Sequence, residues 1–401
     1  MKSERLFMRL VPVAVLLASP AAFAIKINTG SKDFDLNIST LIQARTALNW
    51  DGDAPSATGG AAPNGSIDTS YYLRRVRLIA SGAAYQHFTF YLMLDEPNFG
   101  IRGNYNIAAN PAFVQDAHVG YEFEPGIAFE AGWLYMPLSH LAINASSSTS
   151  SIEKNSVLLF YNNNRGLREM GMHFRGVFLD KKIYIRGGVF NGLHGLQGVD
   201  PTGANAGTVV NPGGRPLVAG MVRYSFLGSE SGYSVPTLYL DGKSRLSVGV
   251  GAQYQVKGSN TPVTIVNPGT GARTTPNTAV NDFVAYAGDI FADIALEGDQ
   301  EFAAQLDFYR FDWGPGSDKT GYGATAEVAY RIGPINPEVN GHWFNSESKQ
   351  FNHAKLAFGA NYLFKGHQAK VGLEFWHFKQ AVNWDASSWQ HQLLLQLQIS
   401  L

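Results

Sequence analysis

Three arginines stand close together in one short stretch of the chain, at Arg74, Arg75 and Arg77. In an extended strand alternate side chains share a face, so Arg75 and Arg77 would lie about 7 Å apart on the same side. The guanidinium fork matches the oxygens of phosphate and carboxylate groups, and two such groups in a row could pass an anion from one to the next. The alternative is structural, with the same arginines balancing nearby carboxylates and holding a loop in place.

The last segment of the chain, residues 389–401, indicates which kind of element could position such side chains. The apolar residues at every second place are Leu393, Leu395, Leu397, Ile399 and Leu401, and the polar residues between them are Gln392, Gln396, Gln398 and Ser400. A period of two predicts a strand with one hydrocarbon face and one polar face. Because an open apolar edge invites aggregation, we expect the sheet to close into a membrane barrel, with lipid outside and a wet lumen.

The connections between strand-like segments alternate between short and long. Short junctions stand at 124–126 and 365–366, whereas residues 137–165 form a long connection. A linker around 233–242 is longer than the other short junctions, and residues 256–281 are predicted as another long connection. The pattern predicts an all-β chain, a transmembrane antiparallel β-barrel of about 16 strands with short periplasmic turns and long extracellular loops.

Composition excludes several function classes. The chain has no cysteine, which excludes disulfides and a thiol nucleophile, and its formal net charge of −1 gives no sign of nucleic-acid binding. Residues 1–24 have a basic start, an apolar run and a small residue at each end of Ala22-Phe23-Ala24, as in a cleavable signal peptide. We therefore expect a signal peptide at 1–24 and a single barrel domain at 25–401. No spacing typical of a metal, cofactor or nucleotide site is present.

Strand parity also predicts which charged residues face the lumen. An arginine in the middle of the lipid-facing surface would cost about 2–4 kcal/mol, so charges within strands should point inward. The predicted pore-lining and anion-contacting residues are Arg45, Arg75, Arg77, Arg175, Arg186 and Arg223. Arg245 and the carboxylates Asp116, Glu122, Glu130, Asp307, Glu327, Glu338 and Glu374 share the inward parity. Arg74 has the opposite parity, which predicts a place near the lipid headgroups or at a subunit contact.

Two long connections could narrow the lumen. Residues 137–165 link the fifth and sixth predicted strands and contain an uncharged hydroxyl run at 146–151. This run could line a constriction for neutral or anionic solutes, although a serine-rich run is also typical of a flexible surface loop. Residues 98–111, with Arg102, are the second candidate.

Several stretches resemble the phosphate-selective porin O/P family. They are Tyr72-Leu73-Arg74-Arg75-Val76-Arg77 followed by Gly82, Asn164-Arg165-Gly166-Leu167-Arg168-Glu169-Met170-Gly171, Gly187-Gly188-Val189-Phe190-Asn191-Gly192 and Leu397-Gln398-Ile399. The resemblance implies a trimeric, sixteen-stranded outer-membrane channel in which arginines inside the barrel form a ladder for phosphate. Of this chain, Arg75 and Arg77 match that role, with Arg74 as a further candidate.

The chain departs from the family pattern in two places. Family members with tight phosphate sites carry a lysine cluster near the constriction, whereas the loop lysines here, Lys154, Lys257, Lys319 and Lys349, are scattered. The last residue is Leu401, where outer-membrane barrels usually end in phenylalanine.

The sequence thus predicts an outer-membrane porin without cofactors, a homotrimer in contact with lipid, that passively conducts small polar or anionic solutes such as phosphate. A general, weakly selective porin is the first alternative, because luminal acids nearly match luminal bases. The second is a barrel enzyme such as a lipase, which would need a serine beside one of His118, His173, His342 and His377. A secreted, soluble β-sandwich is the third.

Overall fold

The computed structural model forms one closed antiparallel sheet. It describes residues 25–27, 30, 33–50, 67–101, 112–155, 167–192, 215–266, 273–315, 317, 319–347, 352–380 and 389–401. The predicted signal peptide and Arg102 lie outside these residues. In the described part of the chain no helix is long and apolar enough to cross a membrane. One 3₁₀ turn, Leu141–Ile143, is present there.

Within the described residues, seventeen strands follow one another. They are β1 (Ile25–Ile27), β2 (Phe34–Trp50), β3 (Asp68–Ala84), β4 (Phe88–Phe99), β5 (Phe113–Glu124), β6 (Ile127–Tyr135), β7 (Arg168–Phe178), β8 (Ile183–Phe190), β9 (Leu217–Leu227), β10 (Arg245–Val266), β11 (Arg273–Leu296), β12 (Gln300–Asp312), β13 (Gly321–Ile332), β14 (Ile335–Ser346), β15 (His353–Lys365), β16 (Ala369–Gln380) and β17 (Gln390–Ser400). From β2 to β17 each strand pairs with the next, and β17 pairs with β2. The sixteen strands β2–β17 therefore form the closed barrel, and the predicted number of strands is confirmed.

The barrel closes without leaving a free edge at the chain end. Strand β17 pairs with β2 from His391 opposite Trp50 to Ser400 opposite Leu41. The backbones of Leu401 and Thr40 then exchange two hydrogen bonds of 2.7 and 3.0 Å. Beyond this point the short strand β1 continues the pairing along β2. Closure removes the open edge on which another chain could pair.

The alternation predicted for the closing strand is present in the structure. Leu395, Leu397 and Ile399 are 47%, 46% and 44% exposed on the outside, whereas Gln396 and Gln398 are 3% and 0% exposed. A membrane would cover the outer hydrocarbon, so the exposed leucines need no protein partner.

The predicted long connection at 256–281 is wrong over most of its length. Strand β10 continues to Val266 and β11 begins at Arg273, and their pairing includes Thr261 opposite Ala279. The stretch is rich in threonine and valine, and β-branched residues favour extended backbone even among prolines and glycines. This hairpin therefore extends far past its predicted end.

Two chain segments fill part of the barrel interior. Residues 137–155, here called the inward loop, come from the predicted long connection, and residues 228–244, the β9–β10 insert, come from the opposite end of the barrel. They join by a parallel bridge between Asn144 and Val235, and Thr237 N donates to Ser148 O at 3.0 Å. Residues 148–151 are at most 1% exposed, so the alternative of a flexible surface loop fails there.

The interior is not wet along every strand. The inward loop packs Leu138, Leu141 and Ile143 against an apolar cluster. The residues that the barrel wall contributes to this cluster include Phe190, Leu217, Met221, Phe283 and Phe311, from β8, β9, β11 and β12. The expectation of a wet lumen is therefore wrong on this side of the barrel, because the inward loop supplies an apolar surface against which the wall residues pack.

Candidate functional site

A β-bulge turns two consecutive arginines into the barrel. On β2, Gln43 pairs with Arg75 and Ala44 pairs with Leu73, so Arg74 has no partner in the register. The same residue is skipped in the pairing of β3 with β4. A bulge adds one residue to one strand and re-aims its side chains. The predicted location of Arg74 at the lipid headgroups or a subunit contact is wrong for this reason.

Three arginines surround the carboxylate of Glu153, which belongs to the inward loop. Glu153 Oε2 lies 2.9 Å from Arg45 and 2.8 Å from Arg74 Nε, and Oε1 lies 2.6 Å from Arg75. Burial alone would raise the pKa of Glu153, but Arg74, Arg75 and Arg45 outweigh it and hold the pKa well below its usual range. The carboxylate is therefore ionised, and three guanidinium groups share one negative charge.

The next arginine along β3 links the wall to the same loop. Arg77 Nε donates to Asp95 Oδ2 at 2.9 Å, and its Nη1 donates to Ser146 Oγ at 2.7 Å. On β7, Arg168 lies 3.8 Å above the ring of Tyr135 and pairs with Asp116 at 3.0 Å. These contacts fix the guanidinium groups, and fixed charges cost little reorganisation when an anion arrives.

These groups border a cavity of about 800 Å³. It lies between the inward loop and one side of the wall, formed by β2–β7 and β14–β17. Its basic lining residues are Arg45, Arg74, Arg75, Arg77, Lys154, Arg168, Lys355 and Lys379, and its acidic ones are Asp95 and Glu153. The lining thus has eight basic groups against two acidic ones, an excess that the formal charge of −1 of the whole chain does not suggest.

Two of the cavity lysines are buried and contact uncharged groups. Lys154 is 8% exposed and donates to the carbonyl of Asn144 at 3.0 Å. Lys355 lies 4.3 Å from the ring centroid of Trp376. Burial, with Arg168 nearby, lowers the pKa of Lys154 well below its usual range.

Only half of the predicted arginine set borders this cavity. Arg45, Arg75 and Arg77 line it, whereas Arg175, Arg186 and Arg223 do not. Arg175 pairs with Glu130 at 2.9 Å. Arg186 donates to the Gly232 and Tyr233 carbonyls of the β9–β10 insert, and Arg223 pairs with Glu230 of that insert at 3.1 Å. Arg186 and Arg223 are 0% and 1% exposed.

Sequence reasoning missed Arg168 and Lys355 as members of this site. Lys355 shares the inward parity of His353 and Ala357, all buried, while Leu356 between them is 44% exposed. The parity rule that selected the arginines would have found Lys355 if it had been applied to lysines in strands. Among the described lysines of the four named from the sequence, Lys154 is the one that borders the cavity, and the other lysines of the lining, Lys355 and Lys379, lie in strands.

Comparison with known proteins supports the same architecture. Pseudomonas putida OprB superposes with a TM-score of 0.61 at 9% identity, over 92% of this chain and 94% of that one. An anion-selective porin from Comamonas acidovorans gives 0.52 at 10%, over 92% and 100%. OmpT of Vibrio cholerae, an outer membrane protein solved in a trimer form, gives 0.52 at 10%, over 91% and 99%. These likenesses show the fold.

Family membership rests on the sequence itself. No curated protein matches the chain at a significant level. The family model for phosphate-selective porin O and P, however, matches residues 45–263, more than half of the chain. This span contains the arginines of β2 and β3, the inward loop and the β9–β10 insert. The chain is thus an outer-membrane β-barrel and belongs to the phosphate-selective porin O and P family.

Proposed function

We propose that the protein is a passive diffusion channel that prefers small anions, phosphate or similar oxyanions among them. The carrying observation is the lining of the cavity, with eight basic side chains against two carboxylates. Fixed positive charge between low-dielectric walls raises the local concentration of anions and lowers that of cations. A channel with this preference needs no covalent chemistry.

The selectivity mechanism combines a narrowed lumen with a series of weak anion sites. The inward loop occupies part of the cross-section and brings Ser146 against Arg77. Conduction requires that each site binds an anion well enough to admit it and weakly enough to release it. Arg45, Arg75 and Arg77 are the proposed anion-contacting residues, with Arg74 added by the bulge.

Arg175, Arg186 and Arg223 have a second proposed role beside any contact with solute. Arg175 pairs with Glu130 of the barrel wall. Arg186 donates to carbonyls of the β9–β10 insert, and Arg223 pairs with Glu230 of the same insert, so these two arginines hold the insert in place. Their effect on anions would be through the long-range field.

The remaining features of the proposal concern export and assembly. Residues 1–24 would direct export and be removed, leaving residues 25–401 as one barrel domain. A homotrimer is supported by the family and by the trimer form of the structurally similar OmpT.

The proposal is tested by replacing Arg75 and Arg77 together with alanine and measuring reversal potentials in chloride and phosphate gradients across planar bilayers. At about 8 Å through a water-like medium each charge is worth roughly 0.5 kcal/mol to a passing anion. The double change should therefore lower anion partitioning about fivefold and raise cation partitioning by a similar factor, so that the anion-to-cation permeability ratio falls about 25-fold at low salt.

Arg310→Ala is the matched control. Arg310 pairs with Glu347 and is absent from the cavity lining, so its loss should leave the ratio unchanged. A wild-type ratio near one would favour the general, weakly selective porin. An unchanged ratio in the double variant would remove Arg75 and Arg77 from the selectivity mechanism.

A further inference from the structure

The three arginines around Glu153 are held by more than that carboxylate. Arg75 Nη1 donates to Gln43 Oε1 at 2.8 Å, and Arg45 Nε donates to Gln396 Oε1 at 3.0 Å. Gln43 and Gln396 are wall residues that are 0% and 3% exposed. Because the amides orient two of the guanidinium groups from behind, the site keeps much of its shape without Glu153.

The bound group in this site is a carboxylate held at both oxygens. Arg74 forms a fork with Glu153, with Nε donating to Oε2 at 2.8 Å and Nη2 donating to Oε1 at 2.9 Å. Arg45 and Arg75 approach one oxygen each. Forked pairing of this kind selects planar two-oxygen groups. Glu153 thus stands where the carboxylate of a solute would stand.

The surroundings of the site are apolar and aromatic as well as basic. Tyr72 and Trp376 line the same cavity and pack against the small buried cluster of Ala47, Ile152 and Leu394. An inorganic oxyanion gains nothing from such surfaces, whereas an organic anion buries its hydrocarbon there. Lys355 above Trp376 adds a cation to this region.

We propose that Arg45, Arg74 and Arg75 form a binding site for organic carboxylates, which Glu153 occupies until a solute carboxylate displaces it. The inference rests on the proposed anion channel and names its substrate class as small monocarboxylates with an apolar or aromatic group. Exchange transfers no proton and breaks no covalent bond, since one ionised carboxylate replaces another.

Competition by a tethered carboxylate has a functional consequence. The loop holds Glu153 at a high effective concentration beside the site, so a free carboxylate binds more weakly than the arginines alone would allow. Weak binding speeds release, which a conducting channel requires. Removal of the Glu153 carboxylate should therefore make a free carboxylate bind more tightly and block the channel instead of passing through it.

The test measures block of chloride current through single channels by benzoate, with benzamide and inorganic phosphate as comparison probes. In Glu153→Gln the half-blocking concentration of benzoate should fall by about tenfold, because the tethered competitor has lost its charge. Glu153→Asp, whose carboxylate is retracted by one methylene, should shift the value in the same direction by less. Benzamide should not block either variant, and phosphate should change much less than benzoate.

Asp241→Asn is the control, because Asp241 also pairs with an arginine, Arg245, but does not border the cavity. It should leave benzoate block at the wild-type value. Heat-modifiable gel migration checks that each barrel is folded, and the Asp variant carries the test if the Gln variant does not fold.

Equal benzoate block in wild type and both Glu153 variants would overturn the displacement site, and equal gains for phosphate and benzoate would overturn the substrate class. These ratios compare variants with wild type, so they are independent of the overall ion preference. A cation-selective wild type would instead refute the proposed anion channel by its reversal potential.

Discussion

One buried carboxylate, Glu327 on β13, joins both interior segments to the barrel wall. Its Oε1 accepts hydrogen bonds from Ser150 N at 3.2 Å, Ser151 N at 3.4 Å and Thr237 Oγ1 at 3.1 Å. Its Oε2 accepts from Ser151 Oγ at 2.7 Å. Ser150 and Ser151 belong to the inward loop and Thr237 to the β9–β10 insert. We therefore expect Glu327→Ala to loosen both segments at once.

The expected loss of stability in Glu327→Ala follows from the hydrogen bonds that each donor to the carboxylate loses. Ser150 N also donates to Thr237 Oγ1 at 2.9 Å and keeps that partner. Ser151 loses the acceptor of both its amide and its hydroxyl, and hydrogen bonds to a charged group are worth about 1.5–3 kcal/mol each. Allowing for partial rearrangement, Glu327→Ala should cost about 2–4 kcal/mol, and Glu327→Gln, which keeps the shape, about half of that.

Two measurements check this expectation. The temperature at which the folded band converts to the unfolded band in gel migration should fall, and single-channel conductance should rise because the inward loop no longer holds its place. A double-mutant cycle with Ser151→Ala should give a coupling of about 1–2 kcal/mol. Asp299→Asn is the control, because Asp299 is an exposed turn residue paired with Arg331, and such pairs contribute little. If Glu327→Ala matched this control in both assays, the anchoring role would be refuted.

Two further expectations concern single cations of the cavity. Arg74→Ala should lower the anion-to-cation permeability ratio as Arg75→Ala does, because the bulge turns both side chains inward. An unchanged reversal potential would contradict the inward position of Arg74. Burial and Arg168 lower the pKa of Lys154, so its share of the anion preference should disappear with rising pH at a midpoint well below 10.5, and Lys154→Met should abolish that step. The unfolded chain holds this proton more tightly, so Lys154 should make the barrel more stable as pH rises through the same window. A step that persists in Lys154→Met would contradict the assignment.

The strand pattern was predictable because it depends on local alternation. Lipid outside and protein or water inside impose a period of two on each strand, and Leu395, Gln396 and Leu397 follow it. The same rule placed Arg75 and Arg77 inside. It failed at Arg74 because a bulge shifts parity by one residue, and nothing in the local residue types marks where the extra residue falls.

The interior segments were not predictable in the same way. The β9–β10 insert was recognised only as a longer linker, since its partners are distant in sequence, as in the bridge between Asn144 and Val235. The role of Glu153 depends on the path of the inward loop, which composition does not encode. Arg186 and Arg223 have the predicted inward parity, yet the insert takes up their hydrogen bonds.

The position of the inward loop, and not the wall alone, determines the charge of the cavity. The sequence contains nearly equal numbers of inward acids and bases, which favoured a weakly selective channel. In the structure, however, several of the acids serve as anchors: Glu327 accepts from Ser151, and Glu374 accepts from Ile152 N at 2.7 Å. Neither borders the cavity, whereas the arginines of β2 and β3 do. Because the loop engages Glu327 and Glu374 as hydrogen-bond acceptors outside the cavity lining, while Arg45, Arg74, Arg75 and Arg77 border the cavity, a balanced sequence is compatible with an excess of basic groups in the passage.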